Sequence, residues 1–202
     1  DAAALWARVR GPISTAAAPE FETPPDLQAK SSRTEANLKA MQLVLTKKPG
    51  EFTAEGLAVL AAYSGWGGLS IEAVKKKIPK GLVPESFGLI HEYFTPTMIA
   101  RALVAAICSM LAELAGSDGV IRALEPSAGI GRLLRSFGPE LCLELEAGGQ
   151  VKKIEWTAVE YSVVSSTILR ALRPDIELYH MSFERWVREE GPRYRGTLNF
   201  IA

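Results

Sequence analysis

Two rhythms of apolar residues divide the chain. From Thr34 to Lys47, Leu38, Met41, Val44 and Leu45 recur at helical spacing, which predicts an amphipathic helix. Thr53 stands as a capping hydroxyl ahead of "AEGLAVLAAY", so a second helix is expected from there to about Tyr63. The stretch "SGWGG" closes it, glycine being suited to the left-handed conformation just past a helix. Trp66, flanked by those glycines, reads as a packed anchor with its N–H satisfied. Ser70 then caps a short helix through Lys77. Residues 1–32 read as an extended or poorly ordered arm, rich in Pro, Ala and Ser over 11–32.

Past residue 90 the pattern alternates. Thr95-Pro96 marks a helix start, a capping hydroxyl followed by a proline at the first helical position, and the helix continues to about Ala115. Strand "VIRAL" (120–124), a glycine turn and a helix from about Ile130 to Phe137 follow. After a helix end and loop over "PELCLELEAGGQVKK" (139–153) come strand "KIEWTAVE" (153–160) and a helix over 163–172. Strand "IELYH" (176–180), a short helix over 183–190 and a final strand "TLNFIA" complete the series. This order predicts an α/β fold, a parallel Rossmann-like sheet with right-handed crossovers and helices on both faces. The expected organisation is an arm (1–32), a helical segment (33–90) and an α/β domain (91–202). A ligand would bind beyond the carboxyl ends of the strands, where the strand order reverses.

Composition narrows the classes. The 202 residues are 48% hydrophobic and 23% charged, ordinary for a globular protein. Lys plus Arg (23) equals Asp plus Glu (23), so no global positive field points to nucleic acid. Lys75, Lys76, Lys77 and Lys80 form a small basic cluster that reads first as a solvated helix end and second as a phosphate contact. Cys108 and Cys142 lie in apolar surroundings without metal-type spacing, and His91 and His180 are isolated. Neither a disulfide nor a metal site is expected, and buried thiols fit a cytoplasmic, reducing compartment. The apolar run 98–114 is broken by Arg101 and Glu113, so no membrane span is expected. The chain opens on Asp1 and stops on a strand-like segment, which reads as a portion of a longer polypeptide.

Three segments carry candidate chemistry. The turn Glu125-Pro126-Ser127-Ala128-Gly129-Ile130-Gly131 joins a strand to a helix, so its N–H groups face a ligand above the sheet. Its small residues permit close approach to the main chain. A dinucleotide fingerprint would place a third glycine where Leu134 stands. The carboxylate of Glu125 would repel a pyrophosphate and suits a cationic ligand, which favours S-adenosylmethionine over a nicotinamide cofactor. Glu160, ending "TAVE", can accept both hydroxyls of a ribose. In "HEYFTP", Tyr93 and Phe94 could cover an adenine or thioether while the Thr95 hydroxyl bonds the ligand.

Taken in order and at these distances, "EYFTP", "LEPSAGIGRLL" and "AVEYS" resemble the cofactor-binding half of adenine-specific (N6) DNA methyltransferases. "YSGWGGL" (63–69) is similar to a segment of phage- and plasmid-borne polypeptides that join such a methyltransferase to a helicase. The resemblance spans residues 55–202 and implies a partial class I S-adenosylmethionine-dependent methyltransferase fold. It implies that Tyr93, Phe94, Thr95 and Pro96 contact the methionine and adenine ends of the cofactor. Glu125, Pro126, Ser127, Gly129 and Gly131 would line its amino-acid moiety, Glu160 would hold the ribose, and Tyr161 would pack beside the adenine. Ser182 and Phe183 stand where the family places an Asp and a large apolar residue, so the Ser182 hydroxyl would replace a carboxylate against the adenine amine.

The family's Asn/Asp-Pro-Pro-aromatic tetrad, which accepts hydrogen bonds from the target amine and stacks the flipped base, is absent from the 202 residues. No catalytic residue is therefore assigned. The expectation is a cofactor-binding portion of a modification or mobile-element enzyme acting on DNA, with a fused helicase region as a partner. The alternative is a module that binds DNA or a protein partner without turnover.

Overall fold

Four strands lie side by side in one parallel sheet: β1 (Val120–Glu125), β2 (Lys153–Glu160), β3 (Glu177–His180) and β4 (Phe200–Ile201), ordered β3-β2-β1-β4. The computed structural model describes residues 29–48, 50–69, 76–78, 92–137 and 151–202. Chain order runs outward from β1 through β2 to β3, then returns to the other side of β1 for β4. The reversal falls between β1 and β4, at whose carboxyl ends a ligand crevice is expected. β1 is buried along both faces except at Arg122, as the apolar run "VIRALE" requires of a central parallel strand.

Helices cover both faces. On one side pack α3 (Thr97–Leu111, continued as a 3-10 turn over Ala112–Leu114), α4 (Arg132–Ser136) and α5 (Val163–Leu172). Val104, Leu111, Leu134 and Leu169 from these helices meet Ile121, Ala123, Trp156 and Ala158 of the sheet. Phe137, Trp156 and Phe200 form an edge-on aromatic triangle within this layer. On the other side α6 (Phe183–Glu189) and α7 (Gly191–Tyr194) bring Trp186 and Tyr194 against Leu124 and Val159. This is a Rossmann-like α/β arrangement, as the alternating pattern predicts.

Ahead of the sheet stand α1 (Lys30–Thr46) and α2 (Ala54–Ala61). Thr53 caps α2 as expected, its hydroxyl accepting from Gly56 N–H at 3.2 Å. The two helices share a core with the sheet domain: Ala40, Met41, Leu60, Tyr63 and Trp66 pack with Ile130, Val164 and Ile168.

Several expectations need correction. Helix α1 begins at Lys30, so the last residues of the expected arm are helical, while residues 1–28 lie outside the described residues. Its buried face is Asn37, Ala40 and Met41, with Val44 packed beside them, and Leu45 is exposed because it lies off that 37-40-41-44 stripe. Helix α2 stops at Ala61, before the glycines, with Ala62 still right-handed. Pro96, not Thr95, precedes the first residue of α3: the Pro96 carbonyl accepts from Ala100 N–H at 2.9 Å. Helix α4 starts at Arg132 because Gly131 is left-handed, with φ of 76°. Regular pairing of β4 reaches only Phe200 and Ile201 of the expected "TLNFIA". Of the helix expected over 70–77, only 76 and 77 are described, in a turn. The loop expected over 139–153 is described only at 151–153, and Cys142, His91 and the Cys108 side chain lie outside the described residues.

Candidate functional site

At the carboxyl end of β1 the chain bends through residues 126–131 and enters α4. The bend is fastened to the end of β2: Ala128 N–H donates to the Val159 carbonyl at 3.0 Å, and Gly129 N–H donates to Glu160 Oε2 at 2.7 Å. The other Glu160 oxygen accepts from Ser162 N–H at 2.6 Å. Burial pushes the Glu160 carboxyl above its ordinary range, and these N–H groups with nearby His180 act against it. Each oxygen accepts one such bond from the main chain, so each retains acceptor capacity.

Glu125 is the other acid at this edge. It is only 7% exposed, and its Oε2 has no hydrogen-bond partner. Burial raises its pKa to about 7; the Ser127 N–H opposes that shift and the Glu160 charge adds to it. An unpartnered carboxylate oxygen in a buried position costs free energy, which a cationic N–H donor would recover.

The aromatic segment arrives from the opposite direction and lands on this bend. A Cβ placed on Gly129 would lie 2.8 Å from Cδ1 and Cε1 of Phe94, so the ring rests directly on that glycine. Gly129 also has φ of 54°, which side-chain-bearing residues rarely adopt. The Phe94 ring is flanked by Tyr63, with centroids 5.9 Å apart, and by the Arg132 guanidinium 5.6 Å from its centroid. Arg132 also donates to the Tyr63 carbonyl at 3.3 Å.

The other expected site residues fall in different surroundings. Tyr93 is 68% exposed and its ring covers Gly67; Thr95 is exposed. Tyr161 is 73% exposed at the end of β2, its carbonyl 3.0 Å from His180 Nε2. Pro126 is half-buried, Ser127 exposed, and Gly131 buried against Leu169. Ser182 caps α6, its hydroxyl oxygen accepting from Arg185 N–H at 3.3 Å, and Phe183 stacks on Trp186 at 5.9 Å. The bonds and ring contacts of these last two are thus within α6. Trp66 is a fully buried anchor, but its indole N–H has no hydrogen-bond partner, contrary to expectation.

Four residues at the site escape a reading of motifs: Glu92, Ser165, Asn37 and Arg132. Glu92 accepts from the Tyr63 hydroxyl at 2.7 Å and from Ser165 Oγ at 2.9 Å. Asn37 donates to the Gly65 carbonyl at 2.7 Å and accepts from Ser64 N–H at 2.8 Å. Arg132 adjoins Phe94. Only Asn37 carries a signal, standing at helical spacing with Ala40 and Met41 on the buried face.

A cavity of about 660 Å³ opens elsewhere, at the amino-terminal half of the strands, beside Arg122, Lys153, Glu155, Asp175, Glu177 and Arg193. Those charges are already paired: Arg122 with Asp118 and Glu155, Lys153 with Glu155, Asp175 with Arg173, Arg193 with Glu190. Glu177 accepts from the Tyr179 and Tyr194 hydroxyls. Among the described residues no helix is long and apolar enough to cross a membrane.

Comparison with solved structures gives a match in fold. No protein-family model matches the chain, and no curated protein does. The structure of a Listeria monocytogenes protein assigned to the class I S-adenosylmethionine-dependent methyltransferases superposes with a TM-score of 0.37 and 16% sequence identity. The match covers 75% of this chain and 46% of that one, so the chain spans about half of its neighbour's length. At that level of similarity, the Rossmann-like assignment stands on the sheet order and the helices described above.

Proposed function

We propose that this chain is the S-adenosylmethionine-binding portion of a DNA adenine-N6 methyltransferase. The observation that carries the reading is the unpartnered, buried Glu125 Oε2 beside a bend on which the Phe94 ring lies. The ammonium group of S-adenosylmethionine supplies the N–H donor and the positive charge that this oxygen lacks. Glu160, already bonded to Gly129 and Ser162 through its two oxygens, retains acceptor capacity for two ribose hydroxyls. A nicotinamide dinucleotide fits the same place poorly, because its pyrophosphate at the first bend would meet the buried Glu125 carboxyl.

When bound, the cofactor supplies an electrophilic methyl group on a sulfonium. The residues of this chain divide the work around it in three. Glu125 ionises and holds the amino-acid end, Glu160 fixes the sugar, and Phe94 excludes water from one side. None of these groups abstracts a proton from an adenine amine, and no Asn/Asp-Pro-Pro-aromatic tetrad occurs in the sequence. The transfer step therefore belongs, on this reading, to a loop supplied by a longer polypeptide that also contacts DNA, with a fused helicase region as a further expectation.

Two experiments test the reading at its two levels. Equilibrium dialysis of the chain against S-adenosylmethionine and NAD should show retention of the first alone; retention of NAD alone, or of neither, overturns it. The longer polypeptide, given methyl-tritiated cofactor and duplex DNA, should deposit label in N6-methyladenine. Label in cytosine, RNA or protein would overturn the substrate assignment while leaving the cofactor in place.

A further inference from the structure

We propose that Glu92 is a positioning residue, clamped by the 63–69 segment and α5, that sets the Phe94 ring over Gly129. The inference deepens the cofactor-site reading and rests on it for its functional consequence.

Glu92 is held from three directions. Its Oε2 accepts from the Tyr63 hydroxyl at 2.7 Å, its Oε1 from Ser165 Oγ at 2.9 Å, and its main-chain carbonyl from Gly67 N–H at 3.0 Å. A Cβ on Gly65 would collide with that same carbonyl, and one on Gly67 would lie 2.5 Å from the Tyr93 ring. Gly65 and Gly67 therefore serve close approach of two chain segments, while Gly65 and Gly68, each with φ of 73°, supply the left-handed turns past α2. By contrast, the two rings that follow Glu92 make face contacts: Tyr93 on Gly67, Phe94 on Gly129 and beside Tyr63. Ring faces resist sliding weakly, whereas two charge-assisted side-chain bonds fix direction as well as distance.

The mount is itself anchored. Asn37 of α1 binds Gly65 and Ser64, and Arg33 donates to Ser64 Oγ and the Gly67 carbonyl, both at 3.2 Å. Buried polar groups in such a chain specify one arrangement because every alternative leaves some of them unpaired. The helical segment ahead of the sheet thus builds the seat from which the aromatic pair reaches the bend. Ser165 ties the same carboxylate to α5, the helix that follows Glu160 and Ser162. One acid consequently ties the aromatic segment both to the 63–69 segment and to α5.

The test uses the whole chain with 4-fluorophenylalanine at position 94, Glu92→Ala and Glu92→Gln variants, and S-adenosylmethionine titration. Glu92→Gln keeps an acceptor for Tyr63 and can donate to Ser165, so it should rescue; Glu92→Ala removes both bonds. Expected are a fluorine resonance moved toward its solvent-exposed position and affinity weakened roughly tenfold in the alanine variant, with both near wild type in the glutamine variant. The double variant Tyr63→Phe with Ser165→Ala empties the same clamp without touching Glu92 and should shift the resonance likewise, which covers an unfolded alanine variant. An unmoved resonance in the folded variants overturns the positioning role. A moved resonance in a wild-type background that binds no S-adenosylmethionine upholds the positioning role and defeats the cofactor reading instead.

Discussion

Gly129→Ala is the substitution whose effect the geometry determines most closely. The new methyl would stand 2.8 Å from two carbons of the Phe94 ring, against an ordinary carbon–carbon contact of about 3.5–4.0 Å. The ring must retreat by most of an ångström, and overpacking of this kind costs about 1–3 kcal/mol. The φ of 54° at this position adds a separate penalty of about 1–2 kcal/mol for any residue with a Cβ. Together the loss is about 2–5 kcal/mol, read as a lowered midpoint in urea denaturation. A double-mutant cycle separates the parts. With Phe94→Ala in the background the ring is gone, the steric part vanishes, and only the backbone penalty of about 1–2 kcal/mol remains. The two substitutions should therefore be sub-additive by about 1–3 kcal/mol. Coupling below about 0.5 kcal/mol would mean that Phe94 does not rest on Gly129, and the account of the bend would fail.

Further predictions concern the acids and the cap. Glu125, with its pKa raised from 4.5 to about 7, holds its proton more tightly folded than unfolded, so its contribution to stability is full below about pH 4.5 and is lost as pH rises to about 7. The loss is about 3 kcal/mol, and the fall in stability across that range should be smaller in Glu125→Gln by about that amount, the remaining slope coming from other carboxyls such as Glu160. Affinity for S-adenosylmethionine should rise over the same interval, since the ionised carboxylate is the binding form. Glu160→Gln turns an amide N–H toward the Gly129 or Ser162 N–H and should cost about 1–3 kcal/mol in thermal denaturation. Ser182→Ala removes the α6 cap and should cost about 1 kcal/mol in denaturation; cofactor affinity unchanged beyond that would limit Ser182 to the cap, and a large loss would place it at the adenine.

The sheet domain is legible in the sequence because its signals are local. "KIEWTAVE" is an apolar run bounded by charge, and Ser162 sits where a helix cap must, so β2 and α5 have the predicted bounds. The bend is legible for a similar reason: small residues between a strand and a helix have few other uses, and Phe94 does meet Gly129 there. The mount behind it is not. Glu92, Ser165 and Asn37 act through bonds between residues far apart in sequence, and a polar side chain on an apolar helix face resembles a lapse in pattern until its partner is seen. The glycines of "SGWGG" do supply left-handed backbone, at Gly65 and Gly68 with φ of 73°, but the need for glycine at 67, and part of the need at 65, comes from the 92–93 segment lying against them, which no local pattern announces. The one-residue shift at Pro96 has a local cause, since its carbonyl starts the α3 hydrogen-bond ladder while the Thr95 side chain is exposed.

The central claim is that a buried carboxyl at the end of β1, one of whose oxygens lacks a partner, receives the ammonium group of a sulfonium nucleotide. Titration calorimetry of S-adenosylmethionine into wild type and Glu125→Gln, both at pH 8, addresses it directly. The account predicts saturable binding to wild type and affinity at least roughly tenfold weaker in the variant, the loss of one charged hydrogen bond. Equal affinity in two folded proteins, or no heat from wild type, would contradict it.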